Sequence, residues 1–173
     1  SNMIKPEKVS GEEMVNILKN TQTKLGEHLR QLLYAIDATS AWICYFDFTT
    51  NQATVCGGYA RPEANPLEQI SDVGEHFYEQ SEDFVRWLDT NDPAPQMLFI
   101  DELPRDDKDW EDYVRQGAHS VAFVPIIIED ETWGYVEVWE SRYRREFSKV
   151  SLSRARIAAD RIAEVIKAEL DRL

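Results

Sequence analysis

The residue with the most chemistry to offer is Glu137, in the run Tyr135-Val136-Glu137-Val138-Trp139. In an extended strand this alternation puts Tyr135, Glu137 and Trp139 on one face and the two valines on the other. A carboxylate between two aromatic side chains is costly to bury unless it is paired or functional. Two readings follow. An arginine such as Arg61 or Arg115 neutralises it in a salt bridge, or the carboxylate receives a cationic or hydrogen-bonding group of a ligand. Trp42, Trp133 and Trp139 have ring faces on which a planar ligand could stack, and the same rings serve equally well as core.

Cys44 and Cys56 fall on opposite strands of one hairpin. A redox pair there requires Cα atoms within about 7 Å; otherwise they are two packed, reduced thiols. His119 enters a strand next to Ser120, with His28 and His76 on distant elements, so no metal site is expected. The acidic run over 101–112 lacks the spaced oxygen ligands and central glycine of an EF-hand loop and reads as a solvated helix face. No nucleophilic triad, phosphate loop or HExxH motif is present. The expectation is a chain with no catalytic residue, no metal and no cofactor, and not an enzyme.

The elements that must position these residues follow from periodicity. Ser10-Gly-Glu-Glu13 is a capping box, and Met14, Leu18, Leu25, Leu29, Leu32 and Ile36 trace one helical stripe to about Asp37. Its breadth predicts two uses, packing on its own sheet and on a partner chain. Residues 41–48 and 53–60 read as strands of a hairpin, with Gly57-Gly58 marking a bulge or bend. Residues 61–80 read as a long loop. A short helix at 84–88, a strand at 97–100 and a short acidic helix over 106–116 stopped by Gly117 come next. Strands over 120–128 and 132–140 enclose the turn Glu129-Asp130-Glu131. A final helix starts at Ser148 and runs to the end, with Leu152, Ala155, Ala159, Ile162, Ile166 and Leu173 on a near-heptad seam. Antiparallel strands between terminal helices make an α+β fold, with both long helices on one face of the sheet and the acidic loop-and-helix region as a lid on the other. The space between sheet and lid is the expected ligand pocket.

The chain has 173 residues, and its net charge of −13 disfavours nucleic acid and anionic membrane surfaces. Residues 63–112 hold 16 acidic residues against 3 basic ones, so the lid alone carries the whole excess, and residues 141–173 are mildly basic. Neutral or cationic ligands are therefore favoured over anionic ones. Two cysteines are too few for a disulfide framework, no apolar run approaches the roughly 20 residues of a membrane span, and no signal peptide is recognisable, which suggests a cytoplasmic setting. Ser1-Asn2 is read as a tag remnant, residues 1–9 as a flexible leader, and 10–173 as a single domain with flanking helices over 10–37 and 148–173.

Gly117-Ala-His-Ser120-Val-Ala-Phe-Val-Pro125-Ile126, then Trp133-Gly134-Tyr-Val-Glu-Val138, then Phe147-Ser148, resembles the C-terminal half of a GAF domain. Asp101 matches that family's aspartate at the end of a short strand. A PAS domain shares part of the element order, but here both long helices flank the sheet. The resemblance implies a regulatory, small-molecule-binding module of a bacterial signalling protein, coupled to a downstream effector domain and homodimeric through its terminal helices. The ligand-binding set expected on the face that looks into the pocket is Trp42, Cys44, Phe123, Tyr135, Glu137 and Trp139. Three activities within the family lack their residues here. Bilin-binding members carry a Cys-His pair where this chain has Lys108-Asp109-Trp110. Cyclic-nucleotide members carry an Asn-Lys pair that occurs nowhere in this chain. Methionine sulfoxide-reducing members use cysteines downstream of the first hairpin, and none follows Cys56. A cysteine-dependent redox enzyme on the same scaffold, or a GAF-like module that only dimerises, are the alternatives.

Overall fold

The computed structural model describes residues 9–173. The reading of Ser1-Asn2 as a tag remnant, and of residues 1–8 as a leader, lies outside the described residues. Val9 is held by the domain, its carbonyl accepting from the Tyr45 hydroxyl at 2.6 Å.

Six antiparallel strands form one sheet in the order β3-β2-β1-β6-β5-β4. They are β1 (Ser40–Asp47), β2 (Gln52–Ala60), β3 (His76–Tyr78), β4 (Gln96–Phe99), β5 (Ser120–Ile128) and β6 (Glu131–Glu140). β1, β6 and β5 occupy the middle, and their alternating side chains feed two separate cores. Ile43, Val124, Val136 and Val138 meet leucines and isoleucines of the long helices on one face. Trp42, Cys44, Phe123, Tyr135 and Trp139 point to the other.

The helical layer differs from the sequence pattern in one respect. Instead of a single helix over 10–37 there are two, α1 (Gly11–Ile17) and α2 (Gln22–Ile36), joined by a 3-10 turn over Lys19–Thr21. Ser10 caps α1 as its sequence indicates, accepting from the Glu13 amide at 3.1 Å. The break has a local cause. The Leu18 carbonyl accepts from the Thr21 hydroxyl at 2.9 Å and from Gln22 Nε2 at 3.1 Å, and Gln22 Nε2 also reaches the Cys56 carbonyl on β2 at 2.8 Å. Side chains that satisfy a helix carbonyl compete with continuation of the helix.

The closing helix α5 (Lys149–Leu170) is capped by Ser148, which accepts from the Ser151 amide at 3.0 Å. It ends at Leu170, three residues before the predicted limit. Ala155, Ala159, Ile162 and Ile166 of its seam, and the whole Met14-to-Ile36 stripe, are buried in this chain's own core. The seam expected to serve a partner chain is thus occupied internally. The large apolar residues α5 leaves exposed are Val150 and Ile157.

The lid face carries α3 (Glu82–Leu88) and α4 (Lys108–Gln116), capped by Ser81 and Asp107, with Gly117 at φ 80° ending α4 in the left-handed conformation. The stretch 61–80, read as loop, contains β3, which pairs Tyr78 with Gln52. Three residues on an edge, none of them buried, leave no alternation to read.

Candidate functional site

All six residues assigned to the site share one face of the three central strands. Glu137 lies opposite Trp42 on β1 and Phe123 on β5, and Tyr135 lies opposite Cys44. Every one of them is buried. Trp133 does not join them. A bulge skips it in the β5–β6 register, where Ile126 pairs with Gly134 and Ile127 with Thr132. The extra residue turns Trp133 to the helix face, where its ring lies 5.2 Å from that of Tyr45. Gly134 is required beside it, because a Cβ there would stand 1.9 Å from the Cys44 carbonyl oxygen.

The lid supplies aromatic partners that sequence reasoning did not assign. Phe84 of α3 packs edge-on against Phe123 at 5.1 Å and Tyr135 at 5.3 Å, and Tyr113 of α4 lies 5.5 Å from Trp139. Both residues stood on helices recognisable in the sequence, but nothing in their spacing said where on the sheet they would land.

Glu137 has neither expected arginine partner. Arg61 pairs with Asp37 at 2.7 Å and Glu63 at 3.3 Å, and Arg115 pairs with Asp112 on its own helix at 3.5 Å. Burial pushes the Glu137 carboxyl up to about 8, and Glu79, Asp109 and Asp72 add to the rise. The Trp139 indole N–H lies close enough to Glu137 to temper the shift, yet falls outside hydrogen-bond geometry, and Nε1 is buried without a partner. Glu79, Asp72 and Asp109 are themselves raised, each chiefly by burial. The site is therefore an aromatic enclosure with a carboxyl, an unused indole N–H and an acidic surround.

The two thiols are not a pair. Cys44 packs on the lid face and Cys56 on the helix face, because Cys56 is the residue skipped in the β1–β2 register. The bulge thus falls one residue before the predicted Gly57-Gly58. Burial pushes Cys44 well above the usual thiol range and Cys56 up to about 12. His119 is exposed, and among the described residues no group of three His, Cys, Asp or Glu side chains is placed to hold a metal. In the acidic run, Asp101 and Glu102 are paired with Arg144. Two clefts of about 650 and 340 Å³ lie at α1 and at the outer edge of α4, and none of the six site residues lines either.

A second polar cluster closes the end of the sheet. Glu140 is fully buried and bonded to Arg142 at 2.9 Å and Arg145 at 3.1 Å, and the same arginines reach the C-terminal carbonyls of α2. Glu68, from the loop after β2, accepts from the hydroxyls of Thr39 (2.7 Å) and Ser40. This cluster ties the loop 61–70, strand β1 and the segment leading into α5 to one another.

With the sheet order, the flanking helices and the lid in place, the fold is that of a GAF domain. In sequence, no protein-family model matches the chain, and no curated protein does. In structure, it is similar to the blue-light-absorbing form of the Thermosynechococcus elongatus PixJ GAF domain, with a TM-score of 0.69 at 10% identity over 88% of each chain. It is similar to the phycocyanobilin-bound GAF domain of a cyanobacterial phytochrome, with a TM-score of 0.68 at 15% identity over 95% of this chain and 98% of the other. A third likeness is to a domain named as part of a two-component sensor histidine kinase protein of Sinorhizobium meliloti 1021, with a TM-score of 0.63 at 17% identity over 87% and 96%. Among the described residues, no helix is long and apolar enough to cross a membrane.

Proposed function

We propose that the chain is a non-catalytic sensory domain of a bacterial, cytoplasmic signalling protein, and that its ligand is received between the sheet and the acidic lid. One observation carries this reading: the Glu137 carboxyl is buried at that interface among aromatic rings with no lysine or arginine paired to it among the described residues, and the Trp139 indole N–H beside it is buried without a partner. Unsatisfied groups of this kind cost stability and persist where something uses them. Nothing in the site favours catalysis. Both thiols are buried and shifted away from the reactive thiolate, which weighs against the cysteine-dependent redox alternative.

Output follows from connectivity. Strand β6 carries Glu137, Trp139 and Glu140 and leads through Arg142 and Arg145 into α5, while those arginines hold the last carbonyls of α2. A ligand that shifts β6 biases both terminal helices, by at most its differential affinity for the two arrangements. We place a homodimer contact on the outer face of α5, at Val150 and Ile157. A monomer by light scattering at tens of micromolar removes that contact.

The ligand reading is tested by native mass spectrometry of the purified protein and by thermal shift against a small-molecule panel. A bound mass or a stabilising compound whose effect is lost in Glu137→Gln supports it. No compound stabilising the wild-type chain favours a module that only dimerises, a reading helped by the Phe84, Phe123, Tyr135 and Tyr113 rings that meet between sheet and lid.

A further inference from the structure

We infer that the ligand of this site is a small organic cation, an alkyl-substituted ammonium, seated between the Glu137 carboxylate and the aromatic faces of Trp42, Phe123, Tyr135 and Trp139. The inference rests on the sensory reading above and deepens it by assigning the class of ligand.

Charge decides the sign. The ionisable groups acting on Glu137 are Glu79 beyond β3, Asp72 in the loop before it and Asp109 on α4, and all three are acidic. Tyr113, Tyr135 and Cys44 face it from α4, β6 and β1, and all three are held neutral by burial. Among the described residues no lysine or arginine pairs with Glu137. An anion would enter a field of one unfavourable sign. A ligand without charge would leave the carboxyl protonated and supply no counter-charge to the acidic groups around it. A cation meets a carboxylate and ring faces together, the combination that recognises ammonium groups.

The unused indole N–H fits the same picture. An ionised Glu137 has one oxygen for the ligand and another for Trp139 Nε1, which a charged carboxylate attracts more strongly than a protonated carboxyl does. Access depends on what must move. Phe84 and Tyr113 lie over the site on helices that bury little. α3 buries only Leu88, and α4 meets the sheet side through Trp110 and Tyr113 without a fully enclosed residue, so the lid can lift at lower cost than the long helices.

The binding step conserves charge and protons. The protonated Glu137 carboxyl loses its proton to solvent, the resulting carboxylate pairs with the ammonium, and no covalent bond to the ligand forms. Affinity should therefore rise about tenfold per pH unit below about pH 8 and level off above it.

The test is calorimetric titration of the full chain with choline and ethylammonium, with dimethylbutanol as the uncharged isostere of choline and acetate as an anion. We expect one or both cations to bind at one site, dimethylbutanol at least tenfold more weakly, and acetate not at all. Proton release measured in buffers of different ionisation enthalpy should approach one per cation at pH 7, and should vanish together with the binding in Glu137→Gln. Trp139→Phe, which keeps the ring and removes the N–H, should weaken binding by a smaller factor. No binding of either cation, equal binding of the isostere, or binding unaffected by Glu137→Gln overturns the inference. A neutral or anionic compound found by thermal shift to bind through Glu137 overturns the cation assignment and leaves the sensory reading standing, whereas failure of every compound in the panel removes both.

Discussion

Strand β6 sends one glutamate toward each of its covering layers, Glu137 to the lid and Glu140, three residues on, to the junction with the helices. On the helix side, Glu140 is wrapped by Arg142 and Arg145, and the aliphatic layer above the sheet is made of fully buried leucines and isoleucines. On the lid side, no lysine or arginine among the described residues pairs with Glu137, the Trp139 indole N–H has no acceptor, and the covering helices are short and acidic. Each layer buries one indole N–H without a partner, Trp133 on the helix side and Trp139 on the lid side, so the difference between them lies in the two carboxyls. A carboxyl answered by two arginines on one side and by none on the other is the contrast on which the proposed lid-side site rests.

The largest expected effect measures that asymmetry directly. Leu29 is fully buried against the sheet, and Leu29→Ala should cost about 3 kcal/mol or more in urea denaturation. Phe84→Ala removes a bigger side chain, but one only half-buried on the lid, and should cost about half as much. Equal losses would mean that the lid is as integral to the fold as the helices.

The two glutamates should then separate in pH. Glu137 is raised in the folded state to about 8, so between its ordinary value and about pH 8 the unfolded chain sheds a proton that the folded chain keeps, and stability falls as pH rises. Glu137→Gln removes that penalty and should stabilise the protein by roughly 3 kcal/mol at pH 7, with little change below pH 4. Glu140 has the opposite sign. Burial alone would raise its carboxyl, but Arg142 and Arg145 hold it below the usual range. Its contribution is present above the ordinary glutamate value and lost as pH falls through the lower folded one. Glu140→Gln should cost about 2 kcal/mol at pH 7, a figure held down by the partial exposure of its arginine partners, and much less in acid, where Glu140 is protonated in both states. If the two variants moved stability in the same direction at pH 7, the contrast between the faces would fail.

Much of this division was legible in the sequence, for a physical reason. A period of two over 135–139 sorts valines from aromatics regardless of distant contacts, and a leucine stripe at helical spacing has to find a sheet. What was not legible depends on contacts between segments far apart in the chain. The break between α1 and α2 needs Gln22 to meet the Cys56 carbonyl, and Trp133 changes face because a bulge shifts the register around it. The edge strand β3 is too short and exposed to leave a pattern. Glu137 could be singled out by its neighbours in sequence. That it has no arginine could not, since Arg61 is captured by Asp37 across the fold. The positions of Phe84 and Tyr113 over the site were hidden for the same reason.

The smallest expected effect is the sharpest test of whether the two layers act separately. Ser148 caps α5 by accepting from the Ser151 amide, and Ser148→Ala should cost about 1 kcal/mol of global stability. Amides that exchange only through global unfolding, those of α2, β1 and β6, should then exchange about fivefold faster. The amides of α4 should not change if they exchange by lifting of the lid, because α5 is equally folded before and after that motion and its lost cap cancels. Hydrogen exchange followed by mass spectrometry reads both sets in one experiment. A fivefold acceleration shared by α4 would mean that the lid opens only when the whole domain unfolds, and a ligand would then have no independent route to Glu137.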